Sequence, residues 1–292
     1  MENMYTDTSM YLLRQPFLLF ATESFQKIEV MRYGISHFYT FQADGTAYDL
    51  AEVVPDGCVD IMFVRGRSRS YAIYVGTPLN AYRVDFCHYF EKGDTVFGVR
   101  FLQGNLTWMK NCSACELSGR FLCFSDVSGM GEMVERICDS LDFYERIQTF
   151  LKYYLPEYEE KNREASGSSV IMLYTLRSII ASGGNIKIQA LAERAAYSVR
   201  HLNELFRTAY GLSPKEFERI VRFQNSLSIV ERCSRISDAA IESGYYDQSH
   251  MLKEYKALLG ISPNEYLRRR KITELNQTLH IERMPLSANP IG

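Results

Sequence analysis

Residues 260–269 read GISPNEYLRR, and residues 211–220 read GLSPKEFERI. The same unusual phrase recurs 49 residues on. In each copy the glycine, Gly211 or Gly260, suits the left-handed position just past a helix end. Two residues later Ser213 or Ser262 is placed to cap a new helix, Pro214 or Pro263 fits its first turn, and Glu216 or Glu265 completes a capping box. Each phrase closes one helix and opens the next.

The repetition extends upstream. IKIQALAERAAYSVRHLNELFRTAY (186–210) and SRISDAAIESGYYDQSHMLKEYKALL (234–259) align Ala192 with Ala240, Ala196 with Gly244, Tyr197 with Tyr245 and Phe206 with Tyr255, with one extra residue in the second copy. Ile188, Leu191, Ala192, Leu202, Leu205 and Phe206 fall at helical spacing in the first unit; Ile236, Ala239, Ala240, Met251, Tyr255 and Leu259 do so in the second. Each unit reads as a short helix, a tight turn and a longer helix. Between them PKEFERIVRFQNSLSIVERC carries a stripe of Ile220, Phe223, Leu227 and Val230 with no breaker after its first position, so one helix is expected to join the units. Two helix-turn-helix units, each with a longer second helix of the kind that enters a major groove, follow from the pattern.

This arrangement resembles the DNA-binding region of AraC/XylS-family transcription regulators over residues 170–271, most specifically in ISDAAIESGYYDQSHMLKEYKALLGISPNEYLR (236–268). The resemblance implies a sequence-specific regulator with no enzymatic activity, controlled by a small-molecule effector bound in a cupin-like N-terminal barrel. It also implies double-stranded promoter DNA as a partner, RNA polymerase if the protein activates, and dimerisation through a helical segment. The candidate DNA-reading residues lie off the core faces of the two longer helices. They are Ser198, Arg200, His201, Asn203, Glu204 and Arg207 in the first unit, and Tyr246, Gln248, Ser249, Lys253 and Lys256 in the second. Arginine pairs with guanine, Asn or Gln with adenine, and lysine with phosphate. Glu204 and Leu252 depart from the family's basic or small polar residues, and Ala196 replaces the usual turn glycine.

Charge divides the same way. The formal net charge is −2, yet residues 1–165 hold 16 Lys and Arg against 23 Asp and Glu, and residues 166–292 hold 17 against 12. A basic DNA-binding half tied to an acidic half with another task is expected. No apolar run approaches the roughly 20 residues that span a bilayer, and the N-terminus lacks an export pattern, so a cytoplasmic protein without membrane partners is expected.

In the N-terminal half, PDGCVDIMFV, SYAIYVGTPL and DTVFGVRFLQG alternate short apolar runs with turn signals, as short strands do. The fold class expected is therefore α+β with two domains: a β-barrel with helices, then an all-α double helix-turn-helix. Boundaries are placed at 1–125 (barrel), 126–161 (helical dimerisation segment), 162–169 (linker NREASGSSV region), 170–271 (DNA-binding domain) and 272–292 (tail). Asp60 and Arg100 oppose the parity of Val59 and Ile61, and of Val99 and Phe101. They are candidate effector residues with Tyr39 and Tyr74, the competing reading being a solvated sheet face. Val134, Ile137, Leu141, Tyr144, Ile147 and Leu151 form the apolar stripe of the helical segment, which packs on its own barrel or on a partner's.

His37 and His88 stand alone without the paired histidines of a metal cupin, and no nucleophile or phosphate-loop motif occurs, so neither catalytic residues, metal nor cofactor are assigned. Seven cysteines in odd number argue for free thiols. The competing functions are an enzymatic barrel localised by its DNA-binding domain, and a thiol-redox regulator using Cys112 and Cys115.

Overall fold

The computed structural model describes residues 25–43, 52–76, 82–83, 89–105, 114–123, 130–163, 167–276 and 279–283. Cys112 lies outside them. The N-terminal half supplies β1 (Phe25–Arg32), β2 (Ile35–Gln42), β3 (Glu52–Val53), β4 (Val59–Arg65), β5 (Ser70–Val75), β6 (Tyr82–Arg83), β7 (Thr95–Phe101), α1 (Ala114–Leu117) and β8 (Phe121–Cys123). Helices α2 (Gly131–Asp139) and α3 (Phe143–Arg163) follow.

Six strands pair antiparallel in the order β8-β5-β4-β7-β2-β1, and β3 pairs separately with β6. Both faces of the larger sheet are covered. On one, Ile61, Phe63, Tyr74, Phe97, Val99 and Phe101 pack beneath α2 and α3. On the other, Tyr39, Met62, Val64, Val75, Phe90 and Val96 form a second apolar cluster. Gly98 is needed at the centre of this second face, where the ring of its partner Tyr39 lies so close that a Cβ would sit 2.0 Å from it.

The apolar stripe of the helical segment is used inside the chain. Val134, Ile137, Ile147 and Leu151 are buried against the sheet, each contributing roughly 1.5–3 kcal/mol, so these four are not available to a partner. Leu141 and Tyr144 alone of the six face outward, 78% and 52% exposed. The expected linker is also mostly helix: α3 runs to Arg163 and α4 (Gly167–Ala181) begins four residues later.

The C-terminal half continues with α5 (Ile188–Arg194), α6 (Val199–Tyr210), α7 (Pro214–Arg232), α8 (Ile236–Glu242), α9 (Gln248–Leu259) and α10 (Pro263–Asn276). β9 (Leu279–Arg283), from the tail, pairs in parallel with β1 and so returns the chain to the N-terminal sheet. All four expected stripe residues of α7 are buried, dividing between two cores. One core gathers α4, α5, α6 and the first half of α7; the other gathers the second half of α7 with α8, α9 and α10.

The repeated phrase folds as its residues dictate, with one exception. Gly211 and Gly260 both adopt φ of 76°. Ser213 and Glu216 form the full capping box of α7. At α10, Ser262 Oγ accepts from the Glu265 N–H at 3.2 Å, but the Glu265 carboxylate turns to Arg268 and Arg269 instead of back to the cap. Two guanidiniums within one helical turn outcompete a single backbone N–H for the carboxylate.

Candidate functional site

The two longer helices are positioned alike. Ser198 and Asp247 cap α6 and α9 by accepting from the N–H three residues on, at 3.2 and 2.7 Å from His201 and His250. The turn before each cap contains a left-handed residue, Ala196 with φ of 55° and Gly244 with φ of 80°. Tyr197 then stands edge-on to His201 at 4.8 Å, and Tyr245 edge-on to His250 at 5.3 Å. The extra residue of the second unit is therefore Tyr246.

Packing fixes each helix on α7. Phe206 of α6 meets Phe217 at 6.0 Å, while Tyr255 of α9 meets Phe223 at 5.1 Å and bonds the Ser226 hydroxyl at 3.1 Å. Asn185 donates to the Ser243 carbonyl at 3.3 Å, tying one unit to the turn of the other. The two helices are thus held by one shared rod.

The expected reading residues are accessible, but not equally free of other work. Arg200 is paired with Glu204 at 3.1 Å, the side chains 90% and 61% exposed, so the departure at Glu204 neutralises a neighbouring guanidinium. Arg207 reaches Glu216 of the α7 cap at 3.3 Å, and Lys256 bonds the Gly260 carbonyl at 3.2 Å. Both are last-turn cations on helix ends. His201, Tyr246, Gln248, Ser249 and Lys253 are exposed, and Asn203 is half-buried. Ser198 acts as the cap itself.

The N-terminal half holds a second constellation. Asp60 and Arg100 face each other across β4 and β7 and are both 5% exposed, so this face is not solvated. Arg100 Nη1 meets Asp60 at 2.5 Å, and its Nη2 meets Asp56, a residue outside the candidate set. Tyr39 donates to Asp60 at 3.1 Å, and the Cys58 N–H to Asp56 at 2.9 Å. Gln103 donates to the Asp56 carbonyl at 3.1 Å and keeps a buried Oε1 without a hydrogen-bond partner. Tyr74 does not join them. It lies opposite Ile61 in the β4–β5 ladder and shares that residue's face, packed beneath the helices.

Burial pushes the Asp60 carboxyl up to about 6, against the opposing pull of Arg100. Burial likewise raises the Tyr39 hydroxyl, with Asp60 adding to it, and lowers the imidazole of His37, beside Lys27 and Arg100. Burial opposes the charge of Arg100, but Asp56 and Asp60 more than restore it. The cluster holds two acids and one base in a dry place, where only mutual pairing keeps the charges stable.

Asp56 could have been suspected from PDGC, since an Asp whose carboxylate takes the N–H two residues on is a common turn device. Its burial is not legible, because it depends on what lies over it. Val54 packs with Phe223 and Leu227, and Gln224 donates to the Pro55 carbonyl at 2.8 Å. A Cβ on Gly57 would stand 2.8 Å from the Phe217 ring. The charge cluster therefore adjoins the seat of α7. A second contact lies at α1, where Cys115 Sγ meets the Arg207 carbonyl at 3.2 Å.

Among the described residues no group of three or more His, Cys, Asp and Glu is placed to hold a metal ion, and no helix is long and apolar enough to cross a membrane.

The helix-turn-helix domain family matches residues 191–269. An uncharacterised HTH-type transcriptional regulator of Bacillus subtilis, YbfI, is 31% identical over 67 residues, which are 23% of this chain and 24% of that protein. This chain therefore matches about a quarter of that relative's length. Among solved structures, a probable AraC family transcriptional regulator from Rhodopseudomonas palustris is 24% identical over 35% of this chain and 98% of that one, with a TM-score of 0.32. ToxT from Vibrio cholerae is 12% identical over 84% of this chain and 95% of its own, with a TM-score of 0.35. With its capped units joined by α7, the C-terminal half carries a domain that matches the helix-turn-helix domain family over residues 191–269.

Proposed function

We propose that the protein is a sequence-specific, DNA-binding transcription regulator whose N-terminal domain controls it in response to a small-molecule effector. The observation that carries the reading is the pair of identically capped helices, α6 and α9, fixed on one connecting helix with their polar faces exposed. Such a pair is suited to successive major-groove segments about 34 Å apart on one side of a duplex.

The effector reading rests on the Asp56–Arg100–Asp60 cluster with Tyr39. A polar ligand that competes for Arg100 shifts the turn at 54–57, and that turn carries contacts to Phe217, Phe223 and Gln224 of α7. The effector thereby favours one placement of the DNA-binding domain over another, a shift of population rather than a new fold. Two copies pair through the exposed end formed by Leu141 and Tyr144, and RNA polymerase is a partner where the protein activates.

The test is a salt titration of the full chain on the duplex upstream of its own gene. The logarithm of affinity should fall linearly with the logarithm of salt concentration as Lys and Arg displace counterions. No binding at low salt, or a flat response, overturns the reading.

A further inference from the structure

We infer that the second unit selects thymine, Leu252 contacting the base's methyl group, while the first unit reads with amide and charge. This rests on the DNA-reading function proposed above and names its specificity.

The shared caps put the two helices in one register. Counting from Ser198 and Asp247, Asn203 of the first helix corresponds to Leu252 of the second, and Glu204 to Lys253. A half-buried amide is thus replaced by an aliphatic side chain that is 37% exposed. Just before the second cap, the extra residue Tyr246 is 89% exposed, because Tyr245 already fills the place that Tyr197 takes against His201. The second helix and the turn before its cap therefore present two large exposed apolar groups, whereas the first helix and its turn present none among the exposed large hydrophobics.

Such groups gain free energy only by leaving water. Their neighbours decide the partner: Ser249, Lys253 and Lys256 are exposed on the same helix, a cationic and hydrogen-bonding surround that suits a polyanion rather than an apolar protein face. In a major groove the C5-methyl of thymine is the apolar group that a base edge offers, so it is the contact this face complements. Asn203, by contrast, suits the N6 and N7 edge of adenine.

The experiment uses the full-length protein and a duplex selected by it from a randomised pool. Each thymine of the selected site is replaced in turn by deoxyuridine, which removes the methyl and nothing else. One or two replacements, confined to the half-site of the second unit, should weaken binding about fourfold each, the effect of one buried methyl. Leu252→Ala should bind thymine and deoxyuridine duplexes equally while keeping the parent's helical circular-dichroism spectrum, which shows that it folds. Leu252→Asn should shift the preferred base at that position to adenine. Affinity indifferent to every deoxyuridine replacement, or undiminished methyl sensitivity in Leu252→Ala, overturns the inference while leaving DNA binding intact. Failure to select any duplex overturns the DNA-reading function itself and this inference with it.

Discussion

The side-chain amide of Gln224 donates to the main-chain carbonyl of Pro55 at 2.8 Å, a buried bond between residues 169 positions apart. It joins the helix that carries both recognition helices to the turn that carries Asp56. Through Asp56 the same turn meets Arg100, and through Arg100 it meets Asp60. The buried charge cluster and α7 thus meet at the same turn.

Removing that bond should loosen the seat. Gln224→Leu keeps the volume but leaves the Pro55 carbonyl buried without this donor, at a cost of about 1–3 kcal/mol. Urea denaturation measures the loss, and amide exchange should quicken at Cys58, whose N–H is held by Asp56. Unchanged stability and exchange would mean the two domains do not rest on this contact.

Asp60 gives a pH signature with a definite sign. Burial raises its folded-state pKa from an ordinary 3.8 to about 6, so the folded protein holds this proton more tightly than the unfolded chain. The contribution is most favourable below pH 4 and is lost as pH rises to about 6, by on the order of 3 kcal/mol. The stability of the parent relative to Asp60→Asn should therefore fall across that window and level off above it. A relative stability that rises with pH would mean Arg100 outweighs burial.

What could be read from residues alone follows from the range of the forces involved. The helix boundaries around Gly211, Ser213, Gly260 and Ser262 depend on neighbours within four residues, so the repeated phrase announced them. The stripe of α7 was legible for the same reason. Tyr74 was misplaced because β4 and β5 are buried on both faces, which removes the polar alternation that distinguishes one face from the other. Asp56 was missed because its burial depends on Phe217, Phe223 and Gln224, far along the chain. The role of Val134, Ile137, Ile147 and Leu151 was open because an apolar stripe does not say which surface covers it.

Ala196 occupies the left-handed region with φ of 55°, where its counterpart is Gly244. A β-carbon there costs roughly 1–2 kcal/mol, and the looser unfolded chain of glycine returns part of it. Ala196→Gly should stabilise the protein by about 0.5–1 kcal/mol in thermal denaturation. Gly244→Ala should destabilise it by more than that, since its Cβ would stand 2.0 Å from Asn185. Equal and small effects at both sites would contradict the strain assigned to the first turn.

Leu141 and Tyr144 test the pairing surface. Replacing both by glutamate should convert a dimer to a monomer in light scattering without lowering the thermal midpoint, because both side chains are exposed in the single chain. A dimer that survives the double substitution would place the interface elsewhere.

Helices α6 and α9 are proposed to read one face of one duplex together. Hydroxyl-radical footprinting of the full chain on its selected duplex tests this most directly. Two protected segments centred about 10 base pairs apart on the same face are predicted. A single protected segment, or two on opposite faces, would contradict it.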